Sequence, residues 1–207
     1  MKLSACTRLL GVILLSMSLL NAAPVRAEGD TDARSELIGL WQKMTSQPDL
    51  SFRVNSVTTT GKGKPMKSVM EVQWPNRFHM KNDQSEMIIL PSGTWMNAGG
   101  EWMKMPVDMQ KMIAQFTPEM MKKSMEGTHN VRFSGLDTIK GTPVKVYDYD
   151  FNVEVMGINS SGTSKIFLSI ADGYPLRIES TGKAMGKEST TINEYEYDDG
   201  IRISAPM

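Results

Sequence analysis

The sequence predicts a mainly β (α+β) fold, a curled antiparallel sheet forming an incomplete barrel with its concave face covered by helices. Three observations predict it. Runs of alternating apolar and polar residues recur from Ser51 to Ser204, the period-two signature of strands with one buried face. Turn residues separate these runs at short intervals, so neighbouring runs pair as hairpins. Two stretches, Asp32 to Met44 and Pro106 to Met125, carry the three-to-four-residue spacing of amphipathic helices instead.

The 207 residues balance 23 Lys+Arg against 23 Asp+Glu and are 40% hydrophobic. That composition suits one globular domain and is unlike that of a disordered chain. Zero net charge, with no block of like charges, gives no footprint for a nucleic acid. Residues 1–27 read as a secretory signal peptide. Lys2 and Arg8 precede the apolar run Leu9 to Leu20, and Val25-Arg26-Ala27 supplies the cleavage site. The run is shorter than the ~20 residues that span a bilayer. Cys6 lies ahead of the apolar region, which argues against an acylated cysteine. Cleavage after Ala27 removes the only cysteine and leaves 20 basic against 23 acidic groups. The expectation is a periplasmic, monomeric single domain over residues 28–207, held by its core and not by disulfides.

In the first helix Leu37, Ile38, Trp41 and Met44 form one stripe, ended by Pro48. Phe52 and Val54 then alternate with Arg53 and Asn55. Met66, Met70, Val72 and Trp74 oppose Lys67, Glu71 and Gln73; Phe78 and Met80 oppose Arg77, His79 and Lys81. Gly61 to Lys64, Pro75-Asn76, Asn82-Asp83, Ser92-Gly93 and Ala98 to Gly100 are the connections. In the second helical stretch Met109, Met112, Ile113, Phe116 and Met120 share a stripe, and Thr117-Pro118-Glu119 reads as a fresh helix start. Strands resume at Val131 to Leu136, Thr142 to Phe151, Lys165 to Ile170, Pro175 to Ser180, Glu188 to Tyr197 and Ile201 to Ser204. Hairpins fall at Asp172-Gly173 and Asp199-Gly200, and Gly157 to Gly162 reads as the one flexible tract. The total is about eleven strands and two helical segments.

Catalytic signatures are missing. His79 and His129 each read as solvated histidines, no nucleophile motif of the GxSxG type accompanies them, and no zinc-ligand spacing occurs. Asp148 and Asp150 read as solvent-facing acids. No catalytic residue, cofactor or metal is therefore assigned.

The outlier is methionine, with 18 residues of which twelve lie between Met66 and Met125. Methionine fills irregular apolar space without fixing one geometry, so a surface rich in it accepts ligands of variable shape. On that reading Phe52, Val54, Met70, Val72, Trp74, Phe78, Met80, Met87 and Ile89 line the sheet side of a cavity for a lipid or acyl chain. Met109, Met112, Ile113 and Phe116 line its lid. A fully packed core explains the same residues. Thioethers also select Cu(I), and Met103-Lys104-Met105 has close spacing. A methionine-rich Cu(I)-binding protein is thus a further reading, weakened by few His and no Cys after cleavage.

The layout resembles the periplasmic lipoprotein-carrier superfamily with its LolA/LolB-like fold. The residues that carry the likeness are the N-terminal helix, Glu71-Val72-Gln73-Trp74-Pro75-Asn76-Arg77-Phe78-His79-Met80, Glu86 to Leu90, Ser92-Gly93-Thr94-Trp95-Met96 and the second helical stretch. The resemblance implies a helix-lidded, incomplete barrel that carries acyl chains or a lipidated protein in transport, with a membrane protein or lipoprotein as partner. The same fold with a closed core implies a periplasmic sensor or protein-interaction domain instead.

Overall fold

The computed structural model describes residues 28–106, 122, 124–155 and 158–206. The first element, α1 (Glu28–Ser46), is followed by β1 (Ser51–Thr60), β2 (Met66–Gln73), β3 (Arg77–Asn82), β4 (Glu86–Leu90), β5 (Gly93–Asn97) and β6 (Trp102–Lys104). After the second predicted helical stretch, which lies outside the described residues, come β7 (Thr128–Ile139), β8 (Thr142–Val155), β9 (Ile158–Ser169), β10 (Pro175–Ala184) and β11 (Lys187–Tyr197). All eleven strands form one antiparallel sheet in the order β6-β5-β4-β3-β2-β1-β11-β10-β9-β8-β7. Two meanders are thus joined by the β1–β11 pair, and the edges β6 and β7 stay apart, so the barrel is incomplete.

An antiparallel sheet of this size coils around whatever covers its apolar face. Here that is α1. Ala33, Leu37, Leu40 and Met44, spaced by four, three and four residues, are buried against Phe52, Val54, Val72, Phe78, Ile89, Val131, Tyr147, Ile166, Leu168 and Ile178. The stripe departs from the predicted one by using Leu40 in place of Ile38, which is half-buried. Polar contacts fix the helix on β7 to β10. Arg34 donates to the carbonyls of Met125 and Thr128 at 3.2 and 3.4 Å. Lys145 donates to Glu36 at 2.8 Å, the Tyr147 hydroxyl donates to the same carboxylate, and the Lys43 ammonium lies 4.5 Å from the Tyr174 ring centre.

The convex face carries two smaller apolar clusters. Val144, Val146 and Phe167 form one. Ile88 and Leu90 form the other with Ile201 and Ile203. The segment Ile201 to Ser204, predicted as a strand, is therefore a cover and not a strand: Arg77 donates to the Ile203 carbonyl at 3.0 Å and seats it. Asp199-Gly200 is accordingly a turn and not a hairpin, with Gly200 donating to the Asp198 carboxylate at 2.8 Å.

Other boundaries also differ. Ser160 to Gly162, expected to be flexible, lie in β9, where Gly162 pairs with Gly182. A Cβ on Gly162 would meet the Thr181 carbonyl oxygen at 2.2 Å, so glycine there serves close strand approach and not flexibility. His129 lies in β7, paired with Asp150. His79 is not freely solvated: its ring nitrogens lie 3.1 Å from Glu71 and 2.7 Å from Glu86.

Candidate functional site

Strand register gathers the nine sheet residues singled out by sequence onto the concave face. Phe52 opposes Val72, Val72 opposes Phe78, and Phe78 opposes Ile89. One step along the strands, Val54 opposes Met70, Met70 opposes Met80, and Met80 opposes Met87. Trp74, just past β2, joins the same cluster. The first row is closed: Phe78 and Val72 are 1% exposed and Ile89 is 2%. The methionines of the second row are half-buried and packed against it. A third row, Asn193, Ser56, Ser68 and Asn82, is polar, with the Ser56 hydroxyl donating to Asn193 at 2.7 Å. The concave face is thus graded from packed to thioether to polar. The proposed lid residues Met109, Met112, Ile113 and Phe116 lie outside the described residues.

Open space on this face lies elsewhere. A cavity of about 230 Å³ sits between α1 and the far meander, walled by Leu37, Trp41, Phe151, Val153 and Ile166. Hydroxyls of Tyr149, Ser164, Ser180 and Thr128 complete it. Two of these satisfy each other, Ser164 and Ser180 being 2.7 Å apart. Burial raises the Tyr149 phenol above its ordinary value, against the opposing effect of its hydrogen bond with Ser164. It is therefore neutral at any physiological pH, as are the half-buried Tyr195 and Tyr197 beyond the cavity, which desolvation also raises. The cavity carries no charge on these groups, and that suits an apolar occupant.

Its floor depends on two glycines. Phe151 opposes Gly162 across β8–β9, and Gly162 opposes Gly182 across β9–β10. A Cβ on Gly182 would come within 2.8 Å of the Phe151 ring. Absent side chains therefore give the ring its bed. Sequence reasoning passed over Tyr149, Phe151 and Val153 as cavity-lining residues. Their signal was present, since they alternate with Asp148, Asp150 and Asn152 along one strand.

Outside this cavity, where α1 meets β8, burial raises the Glu36 carboxyl, but the hydrogen bonds from Lys145 and Tyr147 outweigh it and hold the group below its ordinary 4.5. The Tyr147 phenol is pushed far up by burial and by that carboxylate. The clamp is therefore a carboxylate with two donors at neutral pH. Among the described residues no group of three or more His, Cys, Asp and Glu could hold a metal ion.

Comparison with solved structures places this geometry. The lipoprotein LppX of Mycobacterium tuberculosis matches with a TM-score of 0.60 at 8% identity, covering 84% of this chain and 100% of its own. LprF of Mycobacterium bovis matches at 0.55 and 10% identity, covering 87% and 99%. The chain shares the fold of LppX and LprF. The expected lipoprotein-carrier resemblance holds at the level of that fold. A LolA superfamily protein of Nitrosomonas europaea also matches, at 8% identity over 82% of this chain and 92% of its own, but its TM-score of 0.32 is too low to add weight. No family model matches the chain. No curated protein matches it either. Among the described residues no helix is long and apolar enough to cross a membrane.

Proposed function

We propose that the protein is an exported, periplasmic binding protein that holds the apolar tail of a lipid or acylated molecule under α1 and performs no chemistry. The observation that carries this is the uncharged, mostly apolar cavity of about 230 Å³ on the concave face, in a fold shared with the lipoprotein LppX and with LprF. A whole drug-sized ligand occupies a pocket of roughly 300–1,000 Å³. The cavity is smaller, so it suits one tail, with the headgroup left outside. Hydroxyls of Thr128, Ser164 and Ser180 line it without supplying a charge, and the polar third row of the sheet gives a headgroup somewhere to rest.

The nine sheet residues act in this reading as the wall that keeps the concavity apolar, with Met109, Met112, Ile113 and Phe116 as its lid. Residues 1–27 would direct export and leave residues 28–207 as one monomeric carrier-like domain. A lipoprotein or membrane protein would be the donor or acceptor. Organic extraction of freshly purified protein followed by mass spectrometry tests the idea. A stoichiometric lipid or fatty acid is expected; clean extracts together with no saturable binding of a fluorescent fatty-acid probe would refute it. A protein-interaction domain of the same fold is the second reading, and it draws on the exposed Phe133 and Leu136 of the edge strand β7.

A further inference from the structure

We propose that Met80, Met87 and Met96 form a binding site for a soft monovalent cation, Cu(I), on the concave face of the first meander. Register sets five methionines side by side on five successive strands. Met70 opposes Met80, Met80 opposes Met87, Met87 opposes Met96, and Met96 opposes Met103. Directly opposed residues of antiparallel strands have Cβ atoms ~4.5–5.5 Å apart. Each methionine then has three rotatable bonds with which to bring its sulfur inward. Three adjacent thioethers can therefore converge on one ion.

Packing alone does not account for the row. The neighbouring row of the same strands is built from Val72, Phe78 and Ile89, all at most 2% exposed, as a close-packed core prefers. Only the second row, half-buried from β3 to β5, is thioether on every strand from β2 to β6. What separates the rows is donor chemistry combined with partial access, the two properties a metal site needs. Along β3 to β5 the flanking residues on the same face are Phe78, Asn82, Ser85, Ile89 and Thr94, none of them charged. Hard and borderline ions thus find no carboxylate or imidazole there, whereas thioethers select Cu(I). Met103, which close sequence spacing had brought to attention, sits at the outer end of the row and is 56% exposed. The row lies apart from the cavity under α1, whose lining contains none of these methionines.

The test is an anaerobic competition titration of Cu(I) between the purified protein and a chromophoric chelator, repeated with Ag(I) as a redox-stable analogue. One ion per chain is expected, with Zn(II) excluded. Met80→Leu, Met87→Leu and Met96→Leu should each weaken binding about tenfold or more, and the triple variant should abolish it. Met66→Leu and Met185→Leu, at exposed sites outside the row, should leave it unchanged. Methyl NMR of the wild-type protein keeps the test decisive if the triple variant misfolds, because Ag(I) should shift the Met80, Met87 and Met96 methyl signals selectively. Absence of Cu(I) and Ag(I) binding by the wild type, or binding that the single variants and the methyl signals do not register, would overturn the site and leave the row as packing.

Discussion

Phe78→Ala tests whether the first concave row is core or ligand wall. Phe78 is 1% exposed and stands between Val72 and Ile89 on the adjoining strands. Truncation to alanine takes on the order of 100–150 Å² of apolar surface out of the buried set, about 2.5–4 kcal/mol at ~25 cal/mol/Å². The void it leaves is flanked by β-sheet that cannot collapse into it, which brings the expected loss to about 3–5 kcal/mol. That is a large part of the ~5–15 kcal/mol that holds a typical domain together. Urea unfolding followed by tryptophan fluorescence measures it, and the midpoint should fall with the slope unchanged. Phe151→Ala is the comparison, since Phe151 is half-buried and borders existing empty space. It should cost about 1–2 kcal/mol, because fewer contacts disappear, while weakening the fatty-acid probe. A loss below about 1.5 kcal/mol for Phe78→Ala would mean that this row already faces a void and that the packing reasoning is wrong.

Gly182→Ala should push the Phe151 ring into the cavity, lowering stability by about 1–3 kcal/mol and reducing probe affinity, as thermal melts and titration would register. Acid should destabilise the fold through Glu36, Glu71 and Glu194. All three are held below their ordinary 4.5 in the folded state, so their contribution is present above that value and is lost as pH falls through the lower folded values. Unfolding free energies at pH 3 to 7 should show this decline, and Glu194→Gln should flatten part of it. Leu136→Lys, at a residue 69% exposed on the edge strand β7, should change stability by less than about 0.5 kcal/mol. Light scattering on heating should show less aggregation than the unsubstituted protein, because charge blunts an exposed apolar edge.

Strand content was legible because each strand has one buried face, and the alternation of Phe52 and Val54 or of Phe78 and Met80 survives in sequence. Register was not. Whether Met80 faces Met87 depends on where the turn at Asn82 closes, and there its side chain accepts bonds from the backbone of Gln84 and Ser85 at 2.8 and 2.9 Å. The alternation of Ile201 and Ile203 matched a strand, but a strand needs an edge to pair with, and these residues found a convex cluster to cover instead. Gly162 read as flexible because a glycine that permits close strand contact looks identical, in one dimension, to one that permits motion. The cavity was hidden for a related reason: Leu37 and Phe151 wall one space only because α1 lies across the far meander.

The seam between the two meanders bears on how the chain reaches this structure. Within each meander every strand pairs with its immediate neighbour in sequence, so both can begin locally. The β1–β11 pair instead sets Phe52 against Tyr197 and Thr60 against Ser189, and it requires nearly the whole chain to have been delivered. Loop closure of that length is slow to find and is rewarded only when the aromatic cluster of Phe52, Tyr195 and Tyr197 assembles. Until then β1 is a raw edge carrying Phe52 and Val54, the kind of surface that pairs with the wrong partner. The vulnerable period in this protein's life is therefore the interval before its last strand arrives, and a chain cut short before Lys187 would never leave it.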